Sequence, residues 1–333
     1  MPKTPRRHYD IVEYASWMGE QVAELNVLQY GGTAAEKRKE FGRVTDHPFA
    51  KGKGVAICAL DGQAVVGVQT YRYWPYDRGG QTFYSLQSGG TLVHPEHRGQ
   101  GLFMRMLTAG NEILIQKGVD FLTGFPVPMS FGGFIKDGWC HVDSPRWFLR
   151  PVRPLRVLTE RLGTTGPQPT NTAPESGWPG LHGLGRMGGR RTNLSSSREF
   201  LEYRYGESRS DQYDLRHYVQ RGRRALVVGK YRSSNGFSEY VVGDVLTSDE
   251  SAASTRWALT RLLSDLRSES QTAMCSMLVG NGALEHLAVA TSLGFFPTHR
   301  TGIFIAKAVS PTGANWLSKR WAWNLLHADI DTW

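Results

Sequence analysis

Slid along itself by 156 residues, the chain meets its own pattern. Leu122 falls on Leu278, Gly124 on Gly280, Gly138 on Gly294 and Trp139 on Phe295. The triplet WFL at 147–149 falls on IFI at 303–305, and Phe103, Met106 and Leu107 fall on Leu259, Leu262 and Leu263. One register held without a gap over roughly 45 residues marks a repeated structural unit. A chain of 333 residues has room for two. The pattern reads as α/β: two tandem domains, each a mostly antiparallel mixed sheet flanked by helices. We place the first domain at 1–155 and a Pro/Gly-rich linker at 156–195, densest in GTTGPQPTNTAPESGWPG (163–180). The second domain follows at 196–310, and a Trp-rich tail at 311–333.

Periodicity assigns the elements. Val12, Ala15, Met18, Val22 and Leu25 recur at helical spacing, so 11–30 reads as a helix. Strands at 54–60 and 64–74 flank Asp61-Gly62, a hairpin signal. A third strand spans 82–93, a helix runs from 102 to Gly118, a short strand covers 120–125, and MSFGGFIKDG makes a helix. RWFLRPV closes the first copy as its last strand. In the second half, EFLEYRY is helical, RALVVGKYR and FSEYVVGDVLT pair, and RWALTRLLSDLRS is a helix. MCSMLVG, ALEHLAVATSLG and GIFIAKAV then complete a strand–helix–strand run.

Composition limits the function classes. No apolar run approaches the roughly 20 residues that span a bilayer. The basic start MPKTPRRHYD is not followed by a signal-peptide core, so a cytoplasmic location is expected. Cys58, Cys140 and Cys275 lack metal-like spacing and suit a reducing compartment, so neither a disulfide framework nor a metal site is expected. A net charge of +9 suits an anionic partner or a solvated basic surface. The clusters GRR (189–191) and RGRR (221–224) do not alternate with aromatics, so nucleic acid is not the expected partner.

One feature does not repeat. LVHPEHRGQGLFMRML (92–107) runs from a strand through Gly99 and Gly101 into a helix, whereas the second copy has Thr255-Arg256-Trp257 there. Such a turn leaves backbone N–H groups free at a helix start, and with the helix dipole they form an anion site. Glycine allows positive φ and close approach of backbone to a phosphate. No Lys-Ser/Thr follows, as a P-loop needs, and Met104 stands where a dinucleotide fingerprint needs its third glycine.

The string Glu96-His97-Arg98-Gly99-Gln100-Gly101, in its V-x-P-x-x-R-G-x-G context, resembles the coenzyme A-binding motif Q/R-x-x-G-x-G/A of the GNAT superfamily of N-acyltransferases. Only the first position departs. FLTGFPVPMSFGGFIKDGWCHVDSPRWFLRP resembles that family's splayed strand, following helix and closing turn. The resemblance covers residues 10–152. The second half resembles a degenerate copy without the cofactor loop, and the FLEYRY segment and D-x-D tail are similar to those of tandem acyltransferases encoded with surface-polysaccharide genes. The resemblance implies an acyl-CoA, favoured as acetyl-CoA, held by loop N–H groups of Arg98, Gly99, Gln100, Gly101, Leu102 and Phe103. It also implies that Leu92 and Val93 bond the pantetheine arm like an added strand.

The implied reaction is acyl transfer to an amine of a small molecule, a nucleotide-linked amino sugar being the favoured acceptor. The amine must shed a proton, and the oxyanion needs fixed donors, here a backbone N–H near Val93. The family's frequent Tyr, which serves the leaving thiolate, is replaced by Phe134, and its frequent Asn by Val127. Substitute catalytic candidates are Ser130, His94 and Tyr84. Each also has a plain structural reading: a helix cap, a turn histidine and a packing residue. Gln87, His141 and Asp143 are weaker candidates. Tyr203, Tyr205, Trp316, Trp321 and Trp323 are candidates to line a sugar-binding cleft, or else to pack a core. Two rival functions stay open: a non-catalytic acyl-CoA-binding regulator, motivated by Phe134, and an aminoacyl transferase using charged tRNA. The oligomeric state is not fixed by the sequence.

Overall fold

A computed structural model of the chain describes residues 8–162, 183–206, 213–234, 236–269, 272–311 and 314–330. In chain order the elements are β1 (Asp10–Glu13), α1 (Gly19–Tyr30), α2 (Ala34–Thr45), β2 (Val55–Asp61), β3 (Ala64–Tyr73), β4 (Tyr76–Arg78), β5 (Gln81–Phe83) and β6 (Ser85–Val93). Then come α3 (Leu102–Gln116), β7 (Phe121–Gly124), α4 (Pro128–Lys136), β8 (Cys140–Asp143), β9 (Arg146–Pro151), α5 (Pro154–Arg161), β10 (Asn193–Leu194) and α6 (Arg198–Tyr205). The remainder is β11 (Asp214–Gln220), β12 (Arg223–Ser234), β13 (Phe237–Thr247), α7 (Ala252–Ser268), β14 (Met274–Val279), α8 (Leu284–Ser292), β15 (Phe296–Thr301), β16 (Phe304–Ala308) and α9 (Ala314–Leu317). None of the described helices is long and apolar enough to cross a membrane.

The chain divides into two units. Unit one takes Met1–Pro75, Phe83–Val142 and Phe304–Ser318. Its sheet runs β1-β2-β3-β6-β7-β16-β8. The pairs β1–β2, β2–β3, β3–β6 and β7–β16 are antiparallel, and β6–β7 is parallel. Alternation on β2 sends Ala56, Cys58 and Leu60 into one core with Met18 just before α1, Val22 and Leu25 of α1, Phe41 of α2, and Leu92. On α3, Met106, Leu107, Gly110 and Leu114 are buried. Glycines permit that contact: a Cβ on Gly67 would meet Met106 at 3.3 Å, and one on Gly110 would meet the Tyr71 hydroxyl at 3.2 Å.

Unit two takes Tyr76–Thr82, Asp143–Ile303 and Lys319–Trp333. Its sheet runs β11-β12-β13-β14-β9-β15, with β13 and β14 as the parallel pair. Helix α7 buries Ala258, Leu259, Leu262, Leu263 and Leu266 in a core shared with Val227, Val242, Cys275 and Met277. The repeat is real at the level of elements: α4 and α8 differ by 156 residues at both ends, since 128 + 156 = 284 and 136 + 156 = 292.

Several expectations change. RWFLRPV is β9, yet it pairs with β14 and β15 in unit two. GIFIAKAV is β16, which pairs with β7 in unit one. The two strands occupy equivalent places in the repeat and have the same short apolar character, so periodicity alone does not assign them to a sheet. The helix read over 11–30 begins only at Gly19, because Asp10–Glu13 pairs with β2 as an edge strand. The strand read over 82–93 breaks at Tyr84, whose N–H donates to Asp120 Oδ2 (2.9 Å). Helix α2, with its Thr33–Glu36 capping box, and strand β8 were not expected. The stretch 163–180 lies outside the described residues, but the linker read as 156–195 is partly built: α5 ends at Arg161, and Leu184, Arg186 and Met187 are buried.

The tail is fixed by a buried ion network rather than by a long helix. Arg186 donates to both Asp244 oxygens (2.7 and 3.0 Å) and to Asp329 Oδ2 (2.8 Å), and all three side chains are at most 2% exposed. The Tyr205 hydroxyl donates to Asp244 (3.2 Å) and Arg204 to the carbonyl of Ile330 (2.7 Å). Removing one member of a buried ion pair strands the other, so Arg186→Ala should destabilise the protein by about 3–5 kcal/mol in a denaturant melt. Burial pushes His286 down to about 4, with Arg186 adding to the effect. The unfolded imidazole therefore binds a proton that the folded one refuses. Stability should fall as pH drops from about 6.5 to about 4, and His286→Asn should flatten that slope in pH-dependent melts.

Candidate active site

In unit one, β6 and β7 pair in parallel from Ser85–Phe121 to Ser88–Gly124 and then part. Two local features end the ladder. On β7 the chain continues as Phe125-Pro126-Val127-Pro128, and proline has no N–H to donate. On β6 the register against β3 slips between Val68–Leu92 and Thr70–Gly89, a bulge with Gly90 at φ +57°. A side chain on Gly90 would also meet Thr70 Oγ1 at 2.9 Å. The bulge is braced by Thr70, whose hydroxyl donates to the carbonyl of Gly89 (2.6 Å).

The parted strands open a cleft of about 220 Å³, lined by Ser88, Gly89, Gly90, Thr91, Gly124, Phe125, Pro126, Val127, Ser130 and Phe134. Its lower end holds a polar triad that sequence reading missed. Buried Gln69 donates from Nε2 to Ser88 Oγ (2.9 Å) and to the carbonyl of Thr70 (3.0 Å), and its Oε1 accepts from the Thr91 hydroxyl. Gln69 and Ser88 are 19 residues apart on two strands, so only the β3–β6 register could have signalled the pair.

At the other end of the open strand lies the glycine loop. The backbone turns through a short 3₁₀ segment, Pro95–His97, and enters α3 at Gly101. Gly99 and Gly101 adopt φ +76° and +74°, and a Cβ would meet nothing within 4 Å at either, so conformation rather than space requires glycine. The N-cap of α3 is Gly101, with no side-chain cap and no acidic residue in the first turn. The equivalent helix of unit two is closed off. There Ser251 accepts from Ser254 N (3.1 Å), and Asp249 accepts from Ser251 N (3.2 Å) and the Ser254 hydroxyl (2.8 Å).

The expected residues divide accordingly. Arg98 to Phe103 form the open helix start. Gly89 to Val93 lie beyond the last β6–β7 pair, leaving Leu92 and Val93 paired with β3 alone among the described strands. Arg98 reaches Gln29 Oε1 (2.9 Å) and the carbonyl of Val93 (3.2 Å). Ser130 lines the cleft, with its hydroxyl donating to the carbonyl of Val127 (3.1 Å). Phe134 is buried edge-on to Phe103 and Trp139. Tyr84 is not brought to the cleft. It precedes β6, its hydroxyl donates to the carbonyl of Lys53 (2.7 Å), and burial beside Tyr73 and Glu13 pushes it up to about 12. His94 lies in the loop against the ring of His97 and does not line the cleft. His94, Glu96 and His97 offer ligand atoms within 4.8 Å of one another, with Nδ1 of His97 already 3.1 Å from the Tyr9 hydroxyl.

In unit two, Asp143 is buried and accepts from the backbone and side chain of Asn281 (2.8 and 2.6 Å), a structural clamp. Tyr203 and Tyr205 are core residues, and Trp323 is fully buried against Tyr76, so none of the three lines a sugar cleft. Trp321 is 62% exposed and lines a cavity of about 580 Å³ with Met187–Arg191, Glu250 and Glu285.

No protein-family model and no curated protein match the sequence. Solved structures do match in fold. A GCN5-related N-acetyltransferase from Anabaena variabilis superposes with a TM-score of 0.60 at 11% identity, over 91% of this chain and 73% of that one. Another from Kribbella flavida gives 0.58 at 14% identity, over 91% and 71%. The Saccharomyces cerevisiae N-myristoyltransferase with bound myristoyl-CoA gives 0.52 at 12%, over 92% and 80%. The chain shares the fold of these acyltransferase structures. Gly101→Ala should cost about 1–2 kcal/mol of stability through its positive φ alone, read from a denaturant melt.

Proposed function

We propose that this chain is an acyl-CoA-dependent N-acyltransferase whose cofactor loop and cleft lie in unit one. The observation that carries the reading is the contrast between the repeats. Helix α7 caps its own N-terminus with Ser251 and the Asp249 carboxylate, while α3 at the same place leaves its first turn uncapped behind two left-handed glycines. An uncapped helix start with its dipole is suited to an anion, here the pyrophosphate of coenzyme A. The open edge of Gly89–Val93 suits a pantetheine arm, whose amides can pair with a strand. The apolar cleft wall of Phe125, Pro126, Val127 and Phe134 suits the acyl end. Acetyl is the proposed acyl group.

The acceptor is proposed as the amine of a small molecule. The amine nitrogen attacks the thioester carbon, the oxyanion is held by donors of the bulged strand, and the C–S bond then breaks. Phe134 gives one rival reading its footing, since a chain without the usual tyrosine can bind acyl-CoA without turnover. CoA release from acetyl-CoA with any amine in a screened panel, lost in Gly101→Glu, would exclude that rival.

The cofactor reading is tested first by thermal shift. Acetyl-CoA at about 100 times its dissociation constant should stabilise the protein by about 2.7 kcal/mol. Gly101→Glu puts a carboxylate at the helix start and should abolish the shift. ADP should give a smaller shift, and palmitoyl-CoA no more than acetyl-CoA. If no coenzyme A species shifts the melting point, the reading is withdrawn.

A further inference from the structure

We infer that the Ser88 hydroxyl is the hydrogen-bond donor to the thioester sulfur, the service for which Phe134 has no hydroxyl. The inference rests on the acyl-CoA reading above and names a residue within the same cleft. Gln69 is 0% exposed and its amide orientation is fixed from both ends, because Oε1 takes the Thr91 proton and Nε2 gives to Ser88 and to the Thr70 carbonyl. Ser88 Oγ is therefore the acceptor in that bond. A serine hydroxyl has one proton and two lone pairs. With one lone pair committed to Gln69, the proton and the second lone pair remain. Ser88 is 9% exposed, and it lines the cleft at the last rung before the strands part.

That position suits a proton relay. As the tetrahedral intermediate collapses, the C=O bond reforms, the C–S bond breaks, and the electron pair goes to sulfur. Ser88 Oγ–H hydrogen-bonds the nascent thiolate. The open lone pair of Oγ can take the proton that the acylated nitrogen sheds while the serine proton passes to sulfur. Thioester and amine become amide and free thiol, and serine ends as it began. The Gln69 bond keeps Ser88 in this orientation and makes its proton a better donor. Thr91 and Gln69 are positioning residues in this scheme.

The test needs no identified acceptor. A hydrogen bond to the thiolate lowers the pKa of the bound CoA thiol below the ordinary thiol value of about 8.5. Binding of CoA to the full chain is measured by calorimetry at pH 7 and pH 9, with acetyl-CoA, which has no free thiol, as the reference. In the wild type, CoA affinity should rise about sixfold relative to acetyl-CoA between the two pH values, as a one-unit pKa drop requires. Ser88→Thr keeps the hydroxyl and should keep the rise. Ser88→Ala should lose the rise, its CoA affinity being read at each pH against its own acetyl-CoA affinity. An equal rise in Ser88→Ala, or none in the wild type with both ligands bound, overturns the assignment to Ser88 and leaves the acyl-CoA reading standing. Failure of the wild type to bind either ligand overturns that reading, and this inference with it.

Discussion

What unit one can offer a ligand depends on one event, the end of the β6–β7 ladder at Ser88–Gly124. Had the strands stayed paired, Gly89–Val93 would be an interior strand edge and the cleft would be filled by main chain. Two independent devices prevent it. Pro126 removes a donor from one side, and the Gly90 bulge rotates the other. Proline also starts the next element, since Pro128 lies in the first turn of α4, where a missing N–H costs nothing. The same four residues thus end a strand, widen a gap and begin the helix that contributes Ser130 and Phe134 to the gap's wall.

The repeat supplies an internal control on what is structural and what is reserved for a ligand. Both copies keep the meander, the parallel pair and the helix between them, because these elements bury the cores. Only one copy leaves the helix start open. In unit two Ser251 meets the Ser254 N–H at the start of α7, and the Asp249 carboxylate beside it, bonded to the Ser251 and Ser254 hydroxyls, acts as a resident anion. An uncapped helix start is less stable by about 1 kcal/mol than a capped one. A fold that caps α2, α6 and α7 with Thr33, Ser197 and Ser251 has the means to cap α3 as well.

Features carried by consecutive residues were legible in the sequence. The hairpin about Gly62, the glycine loop, helix α3 and the repeat of α4 as α8 all follow from local signals, and the structure keeps them. Features carried by register were not. Gln69 and Ser88 read as ordinary strand polar residues until the β3–β6 pairing brings their side chains together beside the bulge. Tyr84 was a candidate because it neighbours the cofactor strand in sequence, but it lies at the end of β6 away from the splay, bonded to Lys53. The homes of β9 and β16 were hidden for a related reason. Alternating apolar character says that a strand has a buried face, and either sheet supplies one.

The motifs at the two ends of the second copy show why short patterns need a partner before they mean anything. The tyrosines of FLEYRY suggested a sugar cleft, and FLEYRY with the D-x-D tail resembled tandem acyltransferases encoded with surface-polysaccharide genes. In the structure Tyr205 gives its hydroxyl to Asp244, Arg204 holds the carbonyl of Ile330, and Asp329 closes on Arg186. Asp329 also accepts from the backbone of Leu326 (2.8 Å), so the carboxylate shapes the turn it sits in as well as anchoring it. Desolvating these charges is costly, and hydrophobic residues of similar volume would serve stability as well. What charges add is geometry, since a bidentate arginine accepts its partners in one orientation only. A tail built of short turns has few backbone bonds of its own, and the Arg186 network gives it a single place to lie.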